Sequence, residues 1–418
     1  MAARVGVAVA ALSRRLGRGG GSVIGGRAIL AIDPGAVARL VAGRAVALVS
    51  GTNGKTTTTS LLGATMATAG PLTTNLLGAN QPPGIAAALA AGPPGGTAVL
   101  EVDEAWMERV VAATGPEVVL LLNLSRDQLD RNNEVRQLAA RWRRTFDGRQ
   151  GTFVVANADD PLVAWSAMAA PQVCWVGAGQ PWTEDAAGCP NCGARIIFDS
   201  VAEGDGKLAG WHCSGCDLRR PDLDLRLEGE EVVTADGWRR RLNLALPGRA
   251  NRANTAMALA AARHLGVDPA TALGAMAGAT EIVGRYASVQ VGDVRARLLL
   301  AKNPAGWLEV LDVLRPGPEP VVVAINARIA DGRDPSWLWD VPFERLAGRP
   351  VIASGERGRD LAVRLHYAEV DHRLVLDPLE AVRVAGQAAR NMHPEDQAEI
   401  DVVGNYTSFQ TLRTRLAR

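Results

Sequence analysis

The chain has 418 residues, enough for two or three domains at about 150 residues each. Hydrophobic residues make up 47% and charged residues 21%, and 45 Lys plus Arg nearly cancel 44 Asp plus Glu, so no polybasic field marks nucleic acid as a partner. The longest apolar runs, such as Val5 to Leu12, fall far short of the roughly 18 residues a bilayer span needs, so no transmembrane segment is expected.

Residues 1–20 place one arginine before a small apolar stretch and three after it. A secretory signal has the opposite order, so the segment reads as a short amphipathic helix, either packed against the protein or touching a membrane surface. A Gly-rich linker, Gly17 to Gly26, follows. From Ala45, β-rich apolar stretches (Ala45 to Ser50, Thr97 to Val102, Val118 to Asn123, Thr152 to Ala156) alternate with Ala-rich stretches of helical spacing, which predicts a parallel sheet covered by helices.

The first of these strands runs through SGTNGKTTTTS into a helix. Backbone N–H groups of Gly51, Thr52, Asn53 and Gly54 can surround a phosphate, Lys55 adds a positive charge, and Thr56, beside Thr57, offers a hydroxyl to Mg²⁺. Val49 stands where the strict Walker pattern has Gly, so the bare expression fails. LEVDEAW then puts Glu101, Asp103 and Glu104 at or just past a strand's carboxyl end, where Mg²⁺ finds its carboxylates. Glu101 is the favoured ligand; acids there also serve as turn residues or helix caps. Asn123 opens NLSRDQLDR after the next buried strand, NADDP spans Asn157 to Pro161, and Cys174 in VCWVG reads as a buried strand residue.

Cys189-Pro-Asn-Cys192 and Cys213-Ser-Gly-Cys216, with 20 residues between, have the spacing of a zinc ribbon. Four thiolates leave no open position, so the Zn²⁺ is expected to be structural. Farther on, GRANRANTAMALAAA begins a helix in which Asn251 is equally suited to capping, with Asn254 three residues later. A fresh βα series starts near Val294, with strands at Ala296 to Leu300, Pro320 to Ile325, Pro350 to Ala353 and Glu399 to Val403. Two segments there stand out, AKNPAGW and INARIADGRDPSWLWD. The second is either a capped loop or a source of a carboxylate, Asp334, that orients a histidine in a nucleophilic triad. Four of the five cysteines are committed to metal, so no Cys and His pair is evident for Asp334 to orient.

Together these stretches resemble the MurT branch of the Mur ligase superfamily, from about Ala45 to Phe409. GTNGKTT is similar to the loop of Mur ligases and folylpolyglutamate synthetases; the ribbon, KNPAG, ADGRDxSWxxD and the terminal NYTS narrow the branch. The resemblance implies an ATP-binding α/β domain over 45–280, preceded by a helical segment (1–44), carrying a ribbon insertion at about 181–221 and followed by a smaller α/β domain (281–418). It implies ATP with Mg²⁺ on Thr56 and Glu101, and nucleotide contacts from Gly51 to Thr57, Asn123, Asn251 and Asn254. Ala250 departs from the relatives' His before the first Asn. By the same resemblance, Lys55 and Glu101 serve phosphorylation of the D-glutamate α-carboxyl of lipid II, and ammonia from a class I glutaminase partner displaces the phosphate. Asp334 would complete that partner's triad in a heterodimer at the cytoplasmic membrane face. A self-sufficient ligase joining an amino acid to a carboxylate is the rival reading.

Overall fold

The computed structural model describes residues 1–15, 22–75, 79–126, 135–200, 208–279, 286–291, 293–392 and 398–416. The chain divides into two compact units, Met1–Ser125 with Asn133–Thr280, and Arg126–Asn132 with Glu281–Arg418.

The first unit is built on strands β1 (Ala45–Ser50), β2 (Leu72–Thr74), β3 (Thr97–Glu101), β4 (Val118–Leu121), β5 (Phe153–Asn157) and β6 (Val173–Gly177). A hairpin, β7 (Ile196–Ser200) with β8 (Leu208–Cys213), interrupts the series, which resumes with β9 (Leu225–Glu228), β10 (Glu231–Thr234) and β11 (Arg239–Arg241). The sheet order is β11-β10-β9-β6-β5-β4-β1-β3-β2, parallel from β2 to β9 and antiparallel at β10 and β11. Its helices are α1 (Ala2–Arg15), α2 (Ser22–Ile32), α3 (Ala36–Leu40), α4 (Lys55–Ala67), α5 (Pro82–Ala91), α6 (Met107–Thr114), α7 (Val135–Phe146), α8 (Pro161–Ala167), α9 (Arg249–His264) and α10 (Pro269–Ala277). Side chains alternate across a strand, so Val46 and Leu48 face one way and Ala47 and Val49 the other. The first face is covered by α2, α3 and α5 to α8, the second by α4, α9 and α10. Burial on both faces is what makes these strands continuously apolar.

In the second unit, β12 (Tyr286–Val291), β13 (Val294–Leu300), β14 (Val321–Ala324), β15 (Val351–Ser354), β16 (His372–Leu374) and β17 (Glu399–Gly404) form a sheet of order β12-β13-β17-β14-β15-β16. Only the β12–β13 pair is antiparallel among these pairings. Helices α11 (Pro304–Val313) and α12 (Gly358–Tyr367) pack on one face, α13 (Pro378–Met392) and α14 (Tyr406–Leu416) on the other. Arg297 on β13 lies opposite Asp401 on β17, and the pair is bidentate at 2.6 and 2.9 Å with Asp401 fully buried. The N–H of Arg315 donates to the same carboxylate at 2.8 Å, which helps offset the cost of burying the charge.

One buried carboxylate ties the first unit together. Asp160 caps α8 by accepting from Leu162 and Val163 N–H at 2.9 and 3.2 Å, while its other oxygen accepts from Leu124 N–H at 2.8 Å and Gln180 Nε2 at 3.2 Å. Burial pushes this carboxyl up to about 6, and the backbone hydrogen bonds pull against that shift. A carboxyl with a raised folded-state pKa binds its proton more tightly in the native chain than in the unfolded one. Its contribution to stability is therefore complete below about pH 4 and declines as pH rises through about 6. Urea titrations should show the stability of wild type relative to Asp160→Asn falling across that window. Asp160→Ala should cost about 3 kcal/mol by leaving these buried donors unpaired; a loss under about 1 kcal/mol would contradict that role.

Candidate functional site

The residues Gly51 to Thr57 form the turn from β1 into α4. Gly54 has φ 82°, and a Cβ there would lie 2.4 Å from Asn254 Oδ1, so both backbone and space call for glycine. The loop is gripped from β4's end. Asn123 Oδ1 accepts from Asn53 N–H at 2.8 Å, Asn123 Nδ2 donates to Asn53 O at 3.1 Å, and Thr52 N–H donates to Asn123 O at 2.9 Å. Thr52 Oγ1 donates to Ser125 O and accepts from Ser125 N–H. Asn123 thus acts on the loop's own backbone. The rest of its motif, from Asp127 to Arg131, lies outside the described residues, as does the first half of the Gly-rich stretch after α1; its second half, Ser22 to Gly26, is not linker but the start of α2.

Lys55 is buried, and its ammonium donates to Gly51 O, to Thr52 O at 3.2 Å and to Glu104 Oε1 at 3.2 Å. Thr56 Oγ1 donates to Glu101 Oε2 at 2.8 Å, so the hydroxyl and the carboxylate expected to share Mg²⁺ are side by side. Glu101 is fixed from below: Asn75 exchanges hydrogen bonds with its backbone at 2.7 and 2.8 Å, and Asn80 Nδ2 donates to Oε1 at 3.0 Å. Asp103 caps the turn after β3 by accepting from Ala105 N–H at 3.0 Å. Glu104, rated below Glu101 from the sequence, is the acid that meets the lysine. Asn75 and Asn80 went unread; one follows the three-residue β2 and the other lies shortly before α5, positions common enough for Asn to carry little signal.

On α9, Asn254 sits against Gly54 and is buried, whereas Asn251 is in the first turn and donates to Pro247 O at 2.6 Å. The helix N-cap is Gly248, so Asn251 does not cap it. The NADDP loop is spent largely on structure. Asp159 accepts from Gly179 N–H at 2.6 Å and pairs with Arg220 at 2.6 Å; burial raises its carboxyl above the ordinary range despite Arg220.

Arg220 follows the four-cysteine cluster. The Sγ atoms of Cys189, Cys192, Cys213 and Cys216 all lie within 4.8 Å of one another, with 3.8 Å between Cys189 and Cys216 and 3.4 Å between Cys192 and Cys213. A tetrahedron with metal–sulfur bonds of about 2.3 Å has edges of about 3.8 Å, so the thiols fit a closed tetrahedral site of zinc-ribbon type. The ribbon is clamped to the sheet: the indole of Trp211 is buried and donates to Ala158 O at 2.9 Å, and Arg136 donates to Cys189 O at 3.0 Å. Cys174 lies half-buried on β6 with its thiol pushed up to about 12 by burial, a poor nucleophile.

In the second unit, Asp334 is exposed on the loop after β14, and one oxygen accepts from Ser336 N–H at 2.9 Å. Asp331 is buried and accepts from Thr407 N–H at 2.8 Å and from the Thr407 hydroxyl, tying the loop to the start of α14. Asp340 pairs with Arg126 at 3.4 Å. Asn303 of the KNPAG stretch caps α11 by accepting from Gly306 N–H at 2.8 Å. Beyond Asp334, the exposed rings of Trp339 and Tyr367 meet edge to face at 5.5 Å, with exposed Ile329 in the preceding part of the loop.

Comparison with known proteins adds family to geometry. Residues 49–186 match the Mur ligase middle domain and residues 300–409 the MurT ligase C-terminal domain, together more than half of the chain. The lipid II isoglutaminyl synthase (glutamine-hydrolyzing) subunit MurT of Streptococcus pneumoniae is 29% identical over 96% of this chain and 93% of its own. Among solved structures, MurF from Acinetobacter baumannii superposes with TM-score 0.66 and 18% identity over 94% of this chain and 80% of its own. The Mycobacterium tuberculosis folylpolyglutamate synthase complexed with ADP gives 0.61 and 15% over 91% and 92%. Asn123→Ala should weaken nucleoside triphosphate binding by about tenfold in calorimetry with the fold intact, because the loop loses both bonds at Asn53. Unchanged affinity would show that the loop holds its shape without Asn123.

Proposed function

The chain belongs to the Mur ligase family of ATP-dependent carbon–nitrogen ligases, in the branch with the MurT C-terminal domain, and from this we propose that it amidates a peptidoglycan precursor. The reaction is phosphorylation of the D-glutamate α-carboxyl of lipid II by ATP, followed by attack of ammonia on the acyl phosphate to leave D-isoglutamine. The observation that carries the reading is the meeting of the Thr56 hydroxyl with the Glu101 carboxylate beside buried Lys55, a constellation for phosphoryl transfer.

In this mechanism the N–H groups at the start of α4 bind phosphate oxygens, and Lys55 leaves Glu104 to neutralise charge on the transferring group. Thr56 and Glu101 hold Mg²⁺, which supplies further charge stabilisation when bound. Asn123 and Asn254 keep the loop in shape. The four cysteines hold a structural Zn²⁺, and through Trp211 and Arg220 the ribbon supports the loop from Asn157 to Asp160.

The ammonia comes from a glutaminase subunit that pairs with the second unit. All five cysteines lie in the first unit, so the second offers no thiol nucleophile of its own. Among the histidines, His264 stacks on Phe153 at 3.8 Å, His372 Nδ1 is 2.9 Å from Val370 O, and exposed His366 meets the Tyr367 ring edge to face at 6.0 Å, while His393 lies outside the described residues. An exposed Asp334, in a unit that also exposes the Trp339 and Tyr367 rings, suits a carboxylate offered across an interface to a partner's histidine. A lipid-borne substrate locates the work at the cytoplasmic face of the membrane.

Amidation of lipid II should require ATP and Mg²⁺, proceed with ammonium salt on this chain alone, and use glutamine only when a glutaminase subunit is added. Asp334→Asn should lower the glutamine-dependent rate by on the order of 10² to 10⁴ and spare the ammonium-dependent rate. Loss of both rates, or of neither, would remove the cross-subunit role. ATP turnover stimulated by free amino acids without amidation would establish the self-sufficient ligase instead. Elemental analysis should return one zinc per chain, and chelation should lower the thermal midpoint sharply, since such sites carry on the order of 10 kcal/mol of folding free energy. An unmoved midpoint after zinc removal would contradict a structural metal.

A further inference from the structure

Residues 1–32 hold five arginines (Arg4, Arg14, Arg15, Arg18 and Arg27) and no acid, leaving 40 basic against 44 acidic side chains in the other 386 residues. The helices in this stretch reverse the usual arrangement of a water-facing surface. Their inward positions are mostly small: Gly6, Ala10 and Ser13 on α1, and Gly25 and Gly26 on α2, are buried. Contact is backbone to backbone, for a Cβ at Gly6 would lie 2.2 Å from Ile29 Cγ1 and one at Gly26 would lie 1.6 Å from Pro83 O on α5. Apart from Ile29, which is buried, and the partly buried Val9 and Leu30, the described large aliphatics point out. Val5, Val7, Leu12, Val23, Ile24 and Ile32 are between 36% and 59% exposed, and Arg4, Arg15 and Arg27 are exposed among them.

An ordinary surface helix puts its large apolar side chains inward and polar ones outward. Here, of sixteen exposed large hydrophobic side chains among the described residues, seven fall in the first 32 positions, so the exposure is concentrated. Aliphatic side chains interleaved with arginine, free of any carboxylate, match a bilayer interface: the aliphatics enter the acyl boundary while guanidinium groups meet anionic headgroups. Charge also fixes orientation. The remainder of the chain is slightly acidic overall, so net charge favours approach through this hairpin.

We propose that the outward side of the α1–α2 hairpin is a docking surface for an anionic lipid bilayer, and that it seats the enzyme on the membrane that carries its substrate. The second half of this statement rests on the amidation of lipid II proposed above; the first does not. A hairpin packed through glycine and alanine is rigid at its base, so it can present aliphatic side chains outward without losing its seat on α5.

The test is co-sedimentation of the full chain with vesicles of phosphatidylcholine containing phosphatidylglycerol, against vesicles of phosphatidylcholine alone. The chain should partition to the anionic vesicles and be released by high salt. Arg4→Gln with Arg27→Gln should lower the partition by on the order of tenfold or more, and Leu12→Asp with Ile24→Asp should reduce it to background, both at an unchanged thermal midpoint. Absence of partition, or equal and salt-independent partition to both vesicle types, would overturn the proposal. So would self-association abolished by Leu12→Asp in a chain that ignores vesicles, which would make a second copy the occupant. Amidation of detergent-dispersed substrate by a chain that ignores vesicles would sink this inference alone; vesicle binding by a chain that amidates nothing would sink the proposed function alone.

Discussion

A phosphate loop must leave its N–H groups free for the ligand and yet hold one shape, so its rigidity has to come from groups outside it. In this chain it comes from the end of the neighbouring parallel strand. The Asn123 amide takes both polar groups of the Asn53 peptide, and Thr52 and Ser125 exchange two more hydrogen bonds. These bonds cross from β1's loop to β4's, which are adjacent only because the sheet is parallel in the order it is. Sheet order, strand ends and the loop from Gly51 to Thr56 are thus one arrangement, in which the Thr52 and Asn53 N–H groups, expected from the sequence to meet phosphate, are instead taken up by Asn123. Glu101 joins it from β3, the neighbour on the other side.

A second support reaches the same end of the sheet from the ribbon. Trp211 and Arg220 flank the second cysteine pair in sequence and bond Ala158 and Asp159, just past the end of β5. Asp160, the next residue, returns the connection to Leu124, beside Asn123. Ribbon, strand-end loop and the Gly51 to Thr57 loop are therefore linked through hydrogen bonds, which tie the four-cysteine cluster to the end of the sheet that carries Lys55 and Glu101.

Much of this was legible in the sequence, for identifiable reasons. Strands such as Ala45 to Ser50, buried on both faces, announce themselves as continuous apolar runs, and the Cys spacing states its own geometry. The three-residue strand β16 lacks that signature; His372 to Leu374 is half exposed and polar at its edge. Helix α1 was readable as a helix, whereas the glycines at the start of α2 read as linker, and a pattern that places glycine inside and leucine outside defeats any assignment of the buried face from hydropathy. Within the site, the roles of Glu104 and Asn75 depend on contacts 49 and 26 residues apart in sequence, and no local pattern carries them. Asp331 and Asp334 look alike in ADGRD, yet one is buried on Thr407 and the other faces solvent.

The pairing of Lys55 with Glu104 has a consequence for the function proposed above. An ammonium held by two loop carbonyls and a carboxylate is already electrostatically satisfied, so under that proposal arrival of a triphosphate would be an ion exchange in which one anionic partner replaces another. The affinity would then report a difference between two pairings rather than the full attraction of lysine for phosphate. On product release the lysine would have a carboxylate to return to, and no bare buried charge would be exposed.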